Sequence, residues 1–225
     1  MGMRMTIKME MQSLDTLFDY LCRFRAPDVF NQYAEVNLAY DRPDGAERRR
    51  GNLCRYLECF RDADYVLVSE APGYAGGRLS GVWFTDERFL FGKQPLPWAG
   101  AAGGFLRASR DDRPLSRELS ATIVWSALGD RRDIIFWPAF PWHPMGQRGP
   151  MSNRAPRREE LRTGRDVLQC FLETLFPGRA LVAVGRHAQN SLATLGYDDV
   201  RYIRHPAQGG ATAFRSGIAA LPRED

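Results

Sequence analysis

The chain has 225 residues, 44% hydrophobic and 26% charged, with a formal net charge of +4. That usage is ordinary for a folded globular protein and excludes disordered and fibrous classes, while no run approaches the 18 apolar residues that cross a bilayer. One domain over residues 1–225 is expected, its first 45 residues forming an N-terminal helical extension packed on it.

The opening "MGMRMTIKMEMQSL" scatters charges where a signal peptide needs an apolar stretch, so cytoplasmic residence and no membrane association are expected. "LDTLFDYLCRF" (14–24) reads as an amphipathic helix, and "APDVFNQYAEVNLAYDRPDG" (26–45) as an irregular connection. "YVLV" (65–68), "DIIFW" (133–137), "ALVAVG" (180–185) and "VRYI" (200–203) are short, continuously apolar strand candidates. Between them, "SRELSATIVWSAL" (116–128) reads as a helix whose capping box from Ser116 is incomplete, since Leu119 replaces the Glu or Gln. "REELRTGRDVLQCFLETLF" (158–176) sets Leu161, Leu168, Phe171, Leu172 and Leu175 on one face and stops at Pro177-Gly178.

Alternating helices and strands imply an α/β fold, a three-layer α/β/α sandwich around a central, mostly parallel four-stranded sheet. Ligands of such sheets bind beyond the carboxyl ends of the strands. "SEAPGY" (69–74), "PAFPWHP" (138–144), "GRHAQNS" (185–191) and "RHPAQGG" (204–210) would then share one rim, and these loops hold all three histidines, His143, His187 and His205.

Glu70 closes the first strand just before Pro72 and Gly73, and Gly76, Gly77 and Gly81 follow. Such a loop lets backbone pass close to a bound group, and a carboxylate at its start suits a general base or a water-orienting group. The alternative is a solvated carboxylate or an ion pair with Arg78. "GYAGGRLSG" lacks the Lys-Ser/Thr ending of a phosphate loop. Arginines cluster in "ERRR" (47–50) and "GQRGPMSNRAPRREELRTGR" (146–165), which suits a polyanion surface or a solvated basic face. The four cysteines, Cys22, Cys54, Cys59 and Cys170, form no C-x-x-C pair, so buried thiols are expected and a metal site is not.

"SEAPGYAGGRLSGVWFTDE", "FWPAFPWHP", "SNRAP", "AVGRHAQNSL" and "RHPAQGG" followed by "AFRSGIAAL" resemble, in order over residues 65–221, the spaced motifs of the uracil-DNA glycosylase superfamily, in particular its bacterial GEAPG-type branch. The resemblance implies a monomeric base-excision repair hydrolase that binds DNA, flips a deaminated or damaged base into a pocket and cleaves its N-glycosidic bond. It implies Glu70 as the water-positioning residue and His205 as the donor to the leaving base's oxyanion. It further implies Phe84 as the stacking aromatic, Ala71 and Gly73 as small pocket positions, and the Ala207–Ala211 loop, with Gln208 and Gly209, as the wedge that opens the duplex. Arg154 and Arg204 would face phosphates. Judged without that resemblance, Phe84 reads as a core aromatic, His143 and His187 as structural, and Trp137 and Trp142 as packing residues.

Two departures matter. Pro138 stands where family members carry the asparagine that reads uracil, and proline offers no amide. Another base is then excised, or Asn153 supplies the amide, or binding remains without excision, as in a non-catalytic nucleic-acid-binding member of the superfamily. A nucleoside or nucleotide hydrolase using the same rim is a third class. The cysteines lack the spacing of the cluster-binding branch, so no iron–sulfur cluster and no other cofactor are expected.

Overall fold

The computed structural model describes residues 14–99 and 103–223. The reading of the opening stretch therefore falls, up to residue 13, outside the described residues. In chain order the elements are α1 (Leu14–Arg23), β1 (Val29–Phe30), α2 (Gly45–Cys59), β2 (Tyr65–Ser69), α3 (Gly77–Ser80), α4 (Glu87–Phe91), α5 (Leu119–Leu128), β3 (Ile134–Pro138), β4 (His143–Gly146) and β5 (Gly149–Asn153). After these come α6 (Arg158–Cys170), a π turn (Phe171–Leu175), β6 (Ala180–Val184), α7 (Arg186–Ala193), β7 (Arg201–Ile203) and α8 (Ala211–Ala219).

The four apolar runs pair as one all-parallel sheet in the order β3-β2-β6-β7. Helices cover both faces, with α5 packed on α8 on one side and α6 on α1 and α7 on the other, which makes the three-layer α/β/α sandwich. Coverage of both faces explains why β2 and β3 are apolar through their centres: Val66, Leu67, Val68, Ile134, Ile135, Phe136 and Trp137 are all fully buried, while the edge strand β7 carries the exposed Arg201 and Tyr202. Trp137 stacks on Phe171 and Trp142 on Phe24, each at 3.8 Å between ring centres, so both tryptophans are packing residues. Among the described residues no helix is long and apolar enough to cross a membrane.

β3 is an edge strand, and its outer N–H groups need partners. Phe136 N donates to the buried Tyr56 hydroxyl at 2.9 Å, while Ala139 N points inward to Ser69 O at 2.8 Å. Pro138 lies between these two, so its missing N–H faces the free edge, the position a strand proline tolerates.

Three local features differ from the sequence expectations. Helix α2 runs through the arginine cluster, where the polar sequence hides a buried stripe of Leu53, Tyr56 and Leu57. Residues 143–153, which span the end of the expected rim segment and the start of the arginine-bearing stretch 146–165, form the hairpin β4-β5, which joins β1 in a small antiparallel sheet. α5 starts at Leu119 rather than at Ser116, because Ser116 serves a different helix: its hydroxyl accepts the N–H of Glu87, the first residue of α4.

Arg49 of α2 is structural. Arg49 and Arg78 are fully buried and share one buried carboxylate, Asp41, at 3.3 Å and 2.5 Å. Arg49 also donates to the carbonyls of Gln32 and Glu35, and Arg78 lies over the Phe30 ring at 4.3 Å. Asp41 therefore ties α2, the segment before it and α3 together. Removing one member of a buried ionic group leaves uncompensated charge, at a cost of about 3–5 kcal/mol. Asp41→Ala should lower stability by that amount in urea unfolding, whereas a loss under about 1 kcal/mol would show that the cluster is not a clamp.

Candidate active site

The chain leaves β2 toward β3 on one side and later returns to lay β6 on the other, so the strand order switches at β2. The crevice of a doubly wound sheet opens at that switch. A cavity of about 630 Å³ lies there, lined by residues that follow β2, β6 and β7 together with Phe84, Glu118 and the end of β5. The segment after β3 contributes little. Ala139 N and Phe140 N are bonded to the carbonyls of Ser69 and Glu70, which lays residues 139–143 down as buried structure.

Glu70 stands just past β2 at the mouth of this crevice. It does not pair with Arg78, which Asp41 holds; its Oε2 lies 3.9 Å from His187 Nε2, at the start of α7. Burial raises the Glu70 pKa and the neighbouring His187 opposes the rise. His187, expected to be structural, is half exposed and belongs to the site. His143 is the structural one: it is fully buried, and its ring Nδ1 is 2.9 Å from Pro72 O. A carbonyl only accepts, so His143 carries its proton on Nδ1 and pins the Glu70 loop.

His205 follows β7 and lines the same cavity. Its Nδ1 accepts the N–H of Ala207 at 3.2 Å, which puts the proton of the neutral ring on Nε2. Burial lowers its pKa to about 4, so the imidazole is neutral at physiological pH. Gly185, after β6, is required beside it. Its φ is +90°, and a methyl group there would sit 3.2 Å from His205 Cβ.

Phe84 connects the two ends of the site. Its ring is partly exposed in the cavity, edge-on to Phe136 at 5.3 Å and 5.5 Å from the His205 ring. It reaches this place with φ of +49°, a left-handed backbone that costs a bulky residue about 1–3 kcal/mol and is secured here by Trp125 Nε1 donating to Phe84 O at 2.8 Å.

Ala71 and Gly73 line the cavity wall. Asn153, at the end of β5, joins them: its Oδ1 accepts the Tyr74 N–H at 2.8 Å. Arg204 and Gln208 stand at the rim, Arg204 exposed and donating to Gln208 O, with Gln208 in a left-handed conformation. Arg186 lines the rim as well and enters no ion pair among the described residues.

Gly209 lies beyond the cavity wall, exposed on the loop that follows His205. Two expected positions are corrected. Pro138 is buried on the edge strand and does not line the cavity, because its strand lies outside the switch point. Arg154 borders the cavity but is not an unpaired cation: both its terminal nitrogens bond Glu160 at 2.6 Å. Of the basic stretch, Arg157 is likewise paired, with Asp28.

Glu118 escaped the sequence reading altogether. Its backbone N–H donates to Asp86 Oδ2 at 2.7 Å, and its carboxyl fills the hollow left by two glycines. A methyl on Gly73 would lie 2.1 Å from Oε1, and one on Gly76 2.2 Å from Oε2. The glycine-rich loop thus makes room for a side chain of the protein itself. Glu118 is only partly buried as a residue, yet Oε2 is sealed from solvent with no hydrogen-bond partner. Burial, reinforced by the nearby Asp86 carboxylate, raises the Glu118 pKa to about 7.

No family model matches the chain, and no curated protein matches it. The fold and site define a doubly wound α/β protein with a carboxylate, a neutral imidazole and an aromatic ring around one switch-point crevice.

Two predictions follow from these protonation states. Long-range ¹H–¹⁵N spectra at pH 7 should show His205 as the Nε2–H tautomer and His143 as the Nδ1–H tautomer; the reverse for His205 would remove its donor from the cavity. A carboxyl whose pKa is raised on folding binds its proton more tightly in the native state, so stability from Glu118 falls as pH rises from about 4.5 to about 7. Glu118→Gln should therefore gain stability over wild type across that window, by up to about 3 kcal/mol at pH 8. A difference independent of pH would show that the carboxyl is not buried uncharged.

Proposed function

We propose that the protein is a DNA glycosylase of the uracil-DNA glycosylase superfamily, hydrolysing the N-glycosidic bond of a deaminated or damaged base flipped out of DNA, in cytoplasmic base-excision repair and as a monomer. The observation that carries this reading is the meeting of Glu70 and a neutral, Nε2-protonated His205 in one crevice, with the Phe84 ring beside them.

Breaking the C–N bond builds positive charge on the sugar and negative charge on the departing base, so an anion is needed on one side and a hydrogen-bond donor on the other. Glu70 supplies the first: it orients a water toward C1′, stabilises the cationic sugar and takes the water's proton as the new C–O bond forms. His205 supplies the second. Its Nε2–H donates to the oxygen of the base as the base departs with the bonding electron pair, and a neutral imidazole donates without surrendering its proton. The strained placement of Phe84 supports a stacking platform, since strain of that kind is retained where function requires it. Arg186 and Arg204 are the rim cations suited to phosphates, and the Gln208–Gly209 turn is the exposed loop suited to wedging.

Incubation with oligonucleotides bearing uracil, hypoxanthine or xanthine, followed by alkali, should give strand breaks at the lesion. Glu70→Gln and His205→Ala should each slow release by 10²-fold or more while DNA binding persists. Salt-sensitive binding with no base released from any of the three, even at enzyme excess, would replace this reading with that of a non-catalytic binder.

A further inference from the structure

Pro138 is buried and lies off the cavity, so the base's hydrogen-bonding edge must be read by other groups. Two candidates flank one point on the cavity wall. A methyl on Gly73 would lie 2.1 Å from Glu118 Oε1 and 3.7 Å from Asn153 Nδ2. Neither group is free to do the whole task. The Asn153 carbonyl oxygen already accepts the Tyr74 N–H, which fixes the amide and leaves its NH₂ as donor only. Among the described residues the Glu118 carboxyl makes no hydrogen bond or ion pair; its Oε2 is sealed, so Oε1 is the oxygen that fronts the cavity. A buried carboxyl kept without partners, on a backbone anchored by Asp86, calls for an external one.

We propose that Asn153 and Glu118 together read the extruded base, Asn153 donating to a ring carbonyl and Glu118 Oε1 accepting the adjacent ring N–H. This assignment rests on the glycosylase reading above and names its substrate class. Donor beside acceptor matches a lactam edge, the arrangement that deamination creates when a carbonyl replaces an amino group and the ring nitrogen gains hydrogen. Uracil and hypoxanthine present that edge. Cytosine and adenine present the reverse order, an amino donor against the Asn153 donor and a bare ring nitrogen against the Glu118 acceptor, so both contacts fail at once. The two side chains divide between them what one freely oriented amide would present alone.

The test compares excision of uracil with N3-methyluracil, and of hypoxanthine with N1-methylhypoxanthine, in single-stranded oligonucleotides. Wild type should prefer the unmethylated base by 10²-fold or more. Glu118→Ala should bring that ratio to within about threefold, and Glu118→Gln, whose amide oxygen still accepts, should restore most of it. Gly73→Ala, which displaces the carboxyl while keeping Glu118, should lower the ratio as Glu118→Ala does and guards against a folding defect in the latter. If uracil or hypoxanthine is released but the methyl penalty survives in both Glu118→Ala and Gly73→Ala, the assignment of Glu118 fails while the glycosylase reading stands. If wild type releases neither base, the reading falls and this pair falls with it.

Discussion

All four strands of the central sheet point the same way, and the first of them in sequence is placed inside the sheet, flanked by the second and the third. That single topological constraint gathers the site. Residues from positions 70, 187 and 205, far apart in the chain, end on one rim because parallel strands share their carboxyl ends, and the reversal at β2 leaves a gap there that no crossover covers. The groups that flank the gap, Glu70 and His187, lie 3.9 Å apart across it.

A gap of that kind becomes a site only if its walls hold still. The Glu70 loop is restrained from several directions: His143 holds the Pro72 carbonyl, Asn153 holds the Tyr74 N–H, and Arg78, a few residues on, is locked into Asp41. Each restraint uses a buried or fixed polar group whose partner lies more than 35 residues away in the chain. Such contacts are expensive to form, and their return is preorganisation: the groups that line the crevice are held in place before any ligand arrives. The left-handed Phe84, fixed through Trp125, belongs to the same framework.

Burial tunes the ionisable groups here in a consistent sense, toward the uncharged form. It lowers the pKa of His205 and raises those of Glu70 and Glu118. The two carboxyls differ in their neighbours: Glu70 faces His187, which favours its charge, whereas Glu118 faces Asp86, which opposes it. The two carboxyls of one cavity therefore sit in different electrostatic environments, the first beside an imidazole and the second beside another carboxylate.

The sequence by itself determined the sheet. Its four runs are mostly apolar without alternation, a pattern that suits burial on both faces, and the loops after them made Glu70 and His205 legible as site candidates, whereas Phe84 was a candidate only through the family resemblance. What periodicity could not resolve was anything set by a partner distant in the chain. Ser116 looks like the cap of the helix that follows it but accepts the Glu87 N–H of α4; Arg48, Arg49, Arg154 and Arg157 look like a basic surface but meet Asp44, Asp41, Glu160 and Asp28. Pro138 sits beside the expected rim in sequence and off it in space, because β3 is an edge strand. Glu118 carried no signal at all, since a lone glutamate before a helix is ordinary until Gly73 and Gly76 are brought against it. Local pattern specifies which face of an element is buried; the packing of distant segments sets which charges meet and how deeply each lies, and Coulomb and desolvation energies depend on both.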